Sequence, residues 1–223
     1  MPDIATAIQS VAISFVPFFL GVICHEVAHG YVAYRLGDPT AKMAGRLTLN
    51  PIPHLDTMGT LVFVLTALLP SPIVFGWAKP VPVDPRHFKN PMKGMMLCSA
   101  AGPGTNILLA IIFALALKFV TLSVDSVEAL RASAVLYPLF LICRTGLYLN
   151  LILAFLNLIP IPPLDGSKIL MGFLPRDLAI KYMSIDRYGL LILILLLATG
   201  ALGYVLWPLV TGSAQLILTL VGL

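Results

Sequence analysis

The chain has 223 residues, of which 59% are hydrophobic and only 11% charged, with a formal net charge of +4 and a mean hydropathy of +0.97. A soluble domain carries about 25% charged residues, so the composition excludes a soluble enzyme and predicts one integral-membrane domain over residues 1–223. The basic residues are scattered over short loops, which excludes a nucleic-acid-binding face.

The first apolar segment covers residues 8–35. It opens after Asp3, without a basic stretch or a small-residue cleavage site, so it reads as a span and not a removable signal peptide. Within it stands His25-Glu26-Val27-Ala28-His29. On a helix, positions i and i+4 share a face, so His25 and His29 aim two imidazoles at one metal ion. Glu26, beside them, can take a proton from a metal-bound water.

Past this segment, Leu47 and Leu49 alternate with polar neighbours in Arg46-Leu47-Thr48-Leu49-Asn50, which predicts a strand. Residues 59–69 are apolar but well under the ~20 residues of a full span. Residues 75–83 read as extended, because Pro80 and Pro82 forbid helix and confine any strand to a sheet edge. The two extended pieces are expected to pair as a small β-sheet at the membrane surface. Three more full spans follow, at residues 93–118, 136–158 and 188–206. Residues 209–223 form either a short extra C-terminal span or an interfacial helix. The three cysteines, Cys24, Cys98 and Cys143, make no Cys-x-x-Cys pair and read as small buried hydrophobes.

Charge decides how residues 59–69 sit. If they cross, Lys and Arg split five against eight. If they dip in and return, eleven fall on one side and only Lys118 and Arg131 on the other, with Arg144 inside a span. The positive-inside rule prefers the second arrangement. The fold class is then an all-α polytopic membrane protein with four full spans, a re-entrant segment and a membrane-surface β-sheet. Its N-terminus is outside, and the motif lies toward the cytoplasmic side.

A catalytic zinc takes three protein ligands plus water. The chain has only ten acidic residues. Asp125 and Glu128 fall on the outer side, and Asp177 and Asp186 lie in a charged, solvated loop. Asp165 follows Asn157-Leu158-Ile159-Pro160-Ile161-Pro162-Pro163-Leu164, where prolines end the third span. A carboxylate there is costly unless paired or ligating. It lies at the same end of the bilayer as His29, which is about 9 Å along its helix from Arg35. His25, His29 and Asp165 are therefore the expected metal ligands.

These residues resemble the site-2 protease family of intramembrane zinc metalloproteases, in its small prokaryotic branch without PDZ or CBS domains. The likeness rests on His25-Glu26-x-x-His29, on Gly102-Pro103-Gly104-Thr105-Asn106, and on Asn157-x-x-Pro160 continuing to Leu164-Asp165-Gly166. It extends to Gly45-Arg46-Leu47-Thr48-Leu49-Asn50-Pro51 and Phe75-Gly76-Trp77-Ala78-Lys79-Pro80-Val81-Pro82-Val83. Thr57 departs from it, where that branch usually reads Asp-Pro after His-x. The resemblance implies one Zn2+ on His25, His29 and Asp165, with Glu26 as general base and acid. It implies that Asn106 lies close to the active site and helps hold substrate backbone or the oxyanion. Asn157 either does likewise or caps its helix. The implied partners are the lipid bilayer of a prokaryotic plasma membrane and a transmembrane substrate, cut during regulated intramembrane proteolysis or clearance of signal-peptide remnants. A metal transporter needs ligand layers through the bilayer, and the outer halves of these spans are nearly free of ligands.

Overall fold

The computed structural model describes residues 4–68 and 76–223. Ten α-helices follow in chain order: α1 Ile4–Arg35, α2 Thr40–Met43, α3 Thr57–Leu68, α4 Pro91–Leu122, α5 Val127–Ala132, α6 Leu136–Leu158, α7 Asp165–Met171, α8 Arg176–Met183, α9 Asp186–Ala198 and α10 Ala201–Val221. Among the described residues four stretches are long and apolar enough to cross a membrane: Val11–Arg35, Pro91–Leu122, Leu136–Leu158 and Ala201–Val221. In hydrocarbon a helix satisfies its own backbone, which is why these runs adopt it.

α1, α4 and α6 form the centre, with α4 antiparallel to the other two. Small residues let the helices approach. A Cβ on Gly21 would stand 2.8 Å from Asn150 Oδ1, and one on Gly146 would stand 2.6 Å from the Phe113 ring. Ala110, Phe113, Ala114 and Leu117 of α4, Leu147 and Leu151 of α6, and Val210 and Ala214 of α10 make one buried cluster. The Lys118 ammonium donates to the Val221 carbonyl at 2.5 Å. The C-terminal ends of α4 and α10 therefore share a face, opposite the end of α1 that carries the histidines.

Three expectations are corrected. Among the described residues there is no strand. Residues 46–50 and 76–83 do meet, but through the Arg46 guanidinium on the Lys79 carbonyl at 2.5 Å. Pro80 and Pro82 have removed the donors that a ladder requires. Secondly, the expected re-entrant segment at residues 59–69 is not supported: residues 57–68 form one twelve-residue helix, α3, and Leu69, Pro70, Pro72 and Phe75 lie outside the described residues. Its N-terminus is closed by Asp56, whose carboxylate accepts from the Gly59 amide at 2.8 Å. Thirdly, the fourth long helix is Ala201–Val221, not 188–206. Gly200, at φ 74°, ends α9, and Pro208 sits inside α10 instead of bounding it. Only glycine adopts that left-handed conformation without strain.

A polar knot ties the loop after α1 to the start of α4. The buried Asp38 carboxylate accepts from the Thr40 amide at 3.0 Å and the Thr40 hydroxyl at 2.5 Å, and from the Asp84 amide at 2.7 Å. His87 Nδ1 lies 3.2 Å away. Burial pushes the Asp38 carboxyl up, but the hydrogen bonds from Thr40 and Asp84 outweigh it and hold the group below its ordinary range. A depressed carboxylate pKa adds stability above the unfolded value, near 3.9, which is lost as pH falls through the lower folded value. Asp38→Ala strands buried donors, each worth about 1–3 kcal/mol. Denaturant titration in detergent is expected to show a loss of about 2–4 kcal/mol at pH 7. That gap should narrow as pH is lowered below about 4.

Candidate metal centre

Three side chains converge where α1, α4 and α7 meet. His25 Nε2 and His29 Nε2 each lie 3.1 Å from Asp165 Oδ2. The ligand atoms of the three residues all fall within 4.8 Å of one another. His25 and Asp165 are 6% and 7% exposed, so water does little to screen them.

Each imidazole is oriented through its other nitrogen. His25 Nδ1–H donates to Asn106 Oδ1 at 2.6 Å, and His29 Nδ1–H donates to the Cys98 carbonyl at 2.7 Å. The Cys98 thiol donates to the His29 carbonyl at 3.1 Å, locking that contact from both sides. With both Nδ1 protons so committed, neutral rings turn two Nε2 lone pairs toward a carboxylate. Three acceptors facing one another repel unless a cation lies between them.

Local backbone explains the convergence. The chain leaves α6 at Leu158, turns through Pro160, Pro162 and Pro163, and starts α7 at Asp165. A Cβ on Gly166 would stand 2.2 Å from the Leu158 carbonyl oxygen. Only glycine lets α7 double back so tightly on the end of α6 and turn Asp165 toward the histidines. Gly102 serves the other side, since a Cβ there would stand 2.5 Å from His29 Cε1 and 2.6 Å from His25 Nε2. α4 therefore lies flush against both rings.

Residues 126–197 match the profile of Peptidase family M50. Over 196 residues the chain is 42% identical to "Putative zinc metalloprotease YwhC" of Bacillus subtilis (strain 168), covering 88% of this chain and 84% of that protein. The chain belongs to the M50, or site-2 protease, family. A second relative, "Putative zinc metalloprotease Rip2" of Mycolicibacterium smegmatis, is 29% identical over 185 residues, covering 83% of this chain and 66% of that protein. No solved structure matches.

For a zinc metalloprotease of this family the donor set fits. Zinc ligands at 2.0–2.2 Å and a tetrahedral angle stand about 3.3–3.6 Å apart. The two 3.1 Å spacings around Asp165 Oδ2 are close to that, and all three ligand atoms lie within 4.8 Å of one another. Two imidazoles and one carboxylate are the three protein ligands that a catalytic zinc takes, one fewer than a structural site.

The M50 chain also places the other candidates. Glu26 Oε2 accepts from the Val81 amide at 2.6 Å. Asn106 is fully buried. Its Nδ2 protons go to the Gly21 carbonyl at 3.1 Å and to Asn150 Oδ1 at 3.0 Å, and its oxygen faces His25. The Asn157 amide donates back to the Leu153 carbonyl at 2.9 Å. His54 donates from Nε2 to the Thr48 carbonyl at 2.9 Å. Sequence reasoning missed the Val81 amide and the Cys98 carbonyl, whereas Asn150, which reads from the sequence as a buried interhelical polar contact, is one. For Val81 a signal existed: between Pro80 and Pro82 it alone has an N–H to give.

Proposed function

We propose that this M50 metalloprotease hydrolyses peptide bonds in or near transmembrane segments of other membrane proteins, through a zinc ion held by His25 Nε2, His29 Nε2 and Asp165. The observation that carries this reading is the convergence of those three atoms, with both Nδ1 protons committed elsewhere. The position of both histidines on a helix long and apolar enough to cross a membrane supports a substrate that arrives within the bilayer. Regulated intramembrane proteolysis or clearance of signal-peptide remnants is the role we assign.

Bound zinc supplies a Lewis acid and a water that is acidic near neutral pH. Glu26 takes the proton from the attacking water and delivers it to the leaving amine. Asn106 positions His25: with its oxygen on Nδ1 and both amide protons given away, it fixes the tautomer that turns Nε2 toward Asp165. This replaces the oxyanion role that the resemblance implied, since no Asn106 donor is left over in this arrangement. A helical substrate hides its carbonyls, so it must open locally before attack.

Because the end of α1 and the start of α4 meet at the metal cluster, residues 36–90 leave from and return to one face, and on that placement we assign eleven Lys and Arg residues to it, against Lys118 and Arg131 on the other. We therefore orient the site toward the cytoplasm of a prokaryotic plasma membrane, with the N-terminus outside.

The test is purified enzyme in proteoliposomes with a model single-span substrate, the product ends mapped by mass spectrometry. The reading predicts cuts within or beside the span, abolished by chelation and restored by zinc. Cuts confined to soluble loops, or zinc-independent cutting, would refute it.

A further inference from the structure

The residues 79–82, Lys79-Pro80-Val81-Pro82, form a short arm against the general base. Pro80 and Pro82 have no N–H and fix their own φ, and each restricts the residue before it. The Val81 amide is consequently the single donor in residues 80–82, and it is spent on Glu26 Oε2 at 2.6 Å. The arm is pinned at Lys79 from both sides. The Lys79 amide donates to the His54 carbonyl at 2.9 Å, and the Lys79 carbonyl accepts from Arg46 Nη2 at 2.5 Å. His54 gives its Nε2 proton to Thr48 and turns Nδ1 toward Arg46 Nη2 at 3.5 Å.

Arg46 is the unusual member. It is 6% exposed, no carboxylate lies within ion-pair distance of it among the described residues, and its Nε has no partner there. A buried guanidinium held mainly by carbonyl and imidazole acceptors is expensive as a purely structural choice. The arm and the Arg46 loop are also seated on the metal helix itself. A Cβ on Gly30, one residue past His29, would stand 2.8 Å from Leu47 Cδ2 and 2.9 Å from Val81 Cγ1.

We propose that Arg46 is a positioning residue for the hydrolysis: by holding the Lys79 carbonyl it keeps the Pro80-Val81-Pro82 arm rigid, with the Val81 amide on one oxygen of Glu26. The other Glu26 oxygen is thereby left free and oriented for proton exchange. This inference rests on Glu26 being the general base.

The experiment compares wild type, Arg46→Met, Arg46→Lys, Val81→Pro and the Arg46→Met/Val81→Pro double variant, with Glu26→Gln as control. Each is assayed in proteoliposomes for kcat, KM and zinc per chain. Arg46→Met is expected to lower kcat 10- to 100-fold, with KM within twofold and one zinc per chain. Arg46→Lys, which keeps a donor, should recover most of that loss. Val81→Pro deletes the amide and should lower kcat comparably, and the double variant should be no worse than the poorer single one. Losses that multiply in the double variant, that follow zinc content or KM, or that are absent in Val81→Pro would overturn the proposal. If Arg46→Met does not fold, Val81→Pro and Arg46→Lys decide alone. Activity retained in Glu26→Gln would instead overturn the assignment of the base.

Discussion

Glu26→Gln is expected to leave one zinc per chain and to lower kcat by about 10²- to 10⁴-fold, the usual contribution of a positioned general acid–base. The substitution is close to isosteric. The glutamine carbonyl can still accept from the Val81 amide, which now holds Glu26 Oε2 at 2.6 Å, so the arm and α1 keep their places. What is lost is the capacity to take a proton from water and return it to the amine. The proposed metal ligands His25, His29 and Asp165 are untouched, which separates chemistry from binding. Single-turnover assays on zinc-quantified protein read the outcome. Near-wild-type turnover would remove Glu26 from the mechanism.

Gly102→Ala is expected to lower zinc affinity at least 10- to 100-fold, the range seen when partners behind metal ligands are disturbed. The added methyl would stand 2.5 Å from His29 Cε1 and 2.6 Å from His25 Nε2, closer than atoms can approach. Neither ring can swing away cheaply, because His25 Nδ1 is tied to Asn106 and His29 Nδ1 to the Cys98 carbonyl. Cys98 and Asn106 are on α4 themselves, so backing α4 off to make room breaks the bonds that orient both imidazoles. The result is lost ligand geometry in a chain whose other packing survives. Competition with a fluorescent chelator measures it. Wild-type affinity in this variant would mean that the rings are not held as the structure has them.

The His25, His29 and Asp165 cluster was legible because each residue carried a local rule. His25 and His29 share a helical face by spacing alone, and Asp165 was conspicuous as a carboxylate next to prolines in a chain nearly without acids. The helical membrane core was legible from hydropathy. Boundaries inside apolar sequence were not: residues 188–221 are apolar almost throughout, and only the conformation of Gly200 shows where α9 ends and α10 begins. The expected sheet failed for a related reason. Alternation at Leu47 and Leu49 fits a strand, but pairing also needs donors on the partner, and Pro80 and Pro82 supply none. Long-range polar contacts were the least legible. Nothing local to Asn106 says that its oxygen meets His25 and its amide meets Asn150 from another helix. Asp38, a loop aspartate in the sequence, is a buried hub because Asp84 reaches it from 46 residues away.

The most direct test of the metal assignment is anomalous diffraction at the zinc edge from crystals of the Glu26→Gln protein. One peak per chain is expected, about 2.0–2.2 Å from His25 Nε2, His29 Nε2 and an Asp165 carboxylate oxygen. A peak elsewhere, or a zinc bound by the two histidines with Asp165 turned away, would contradict the account.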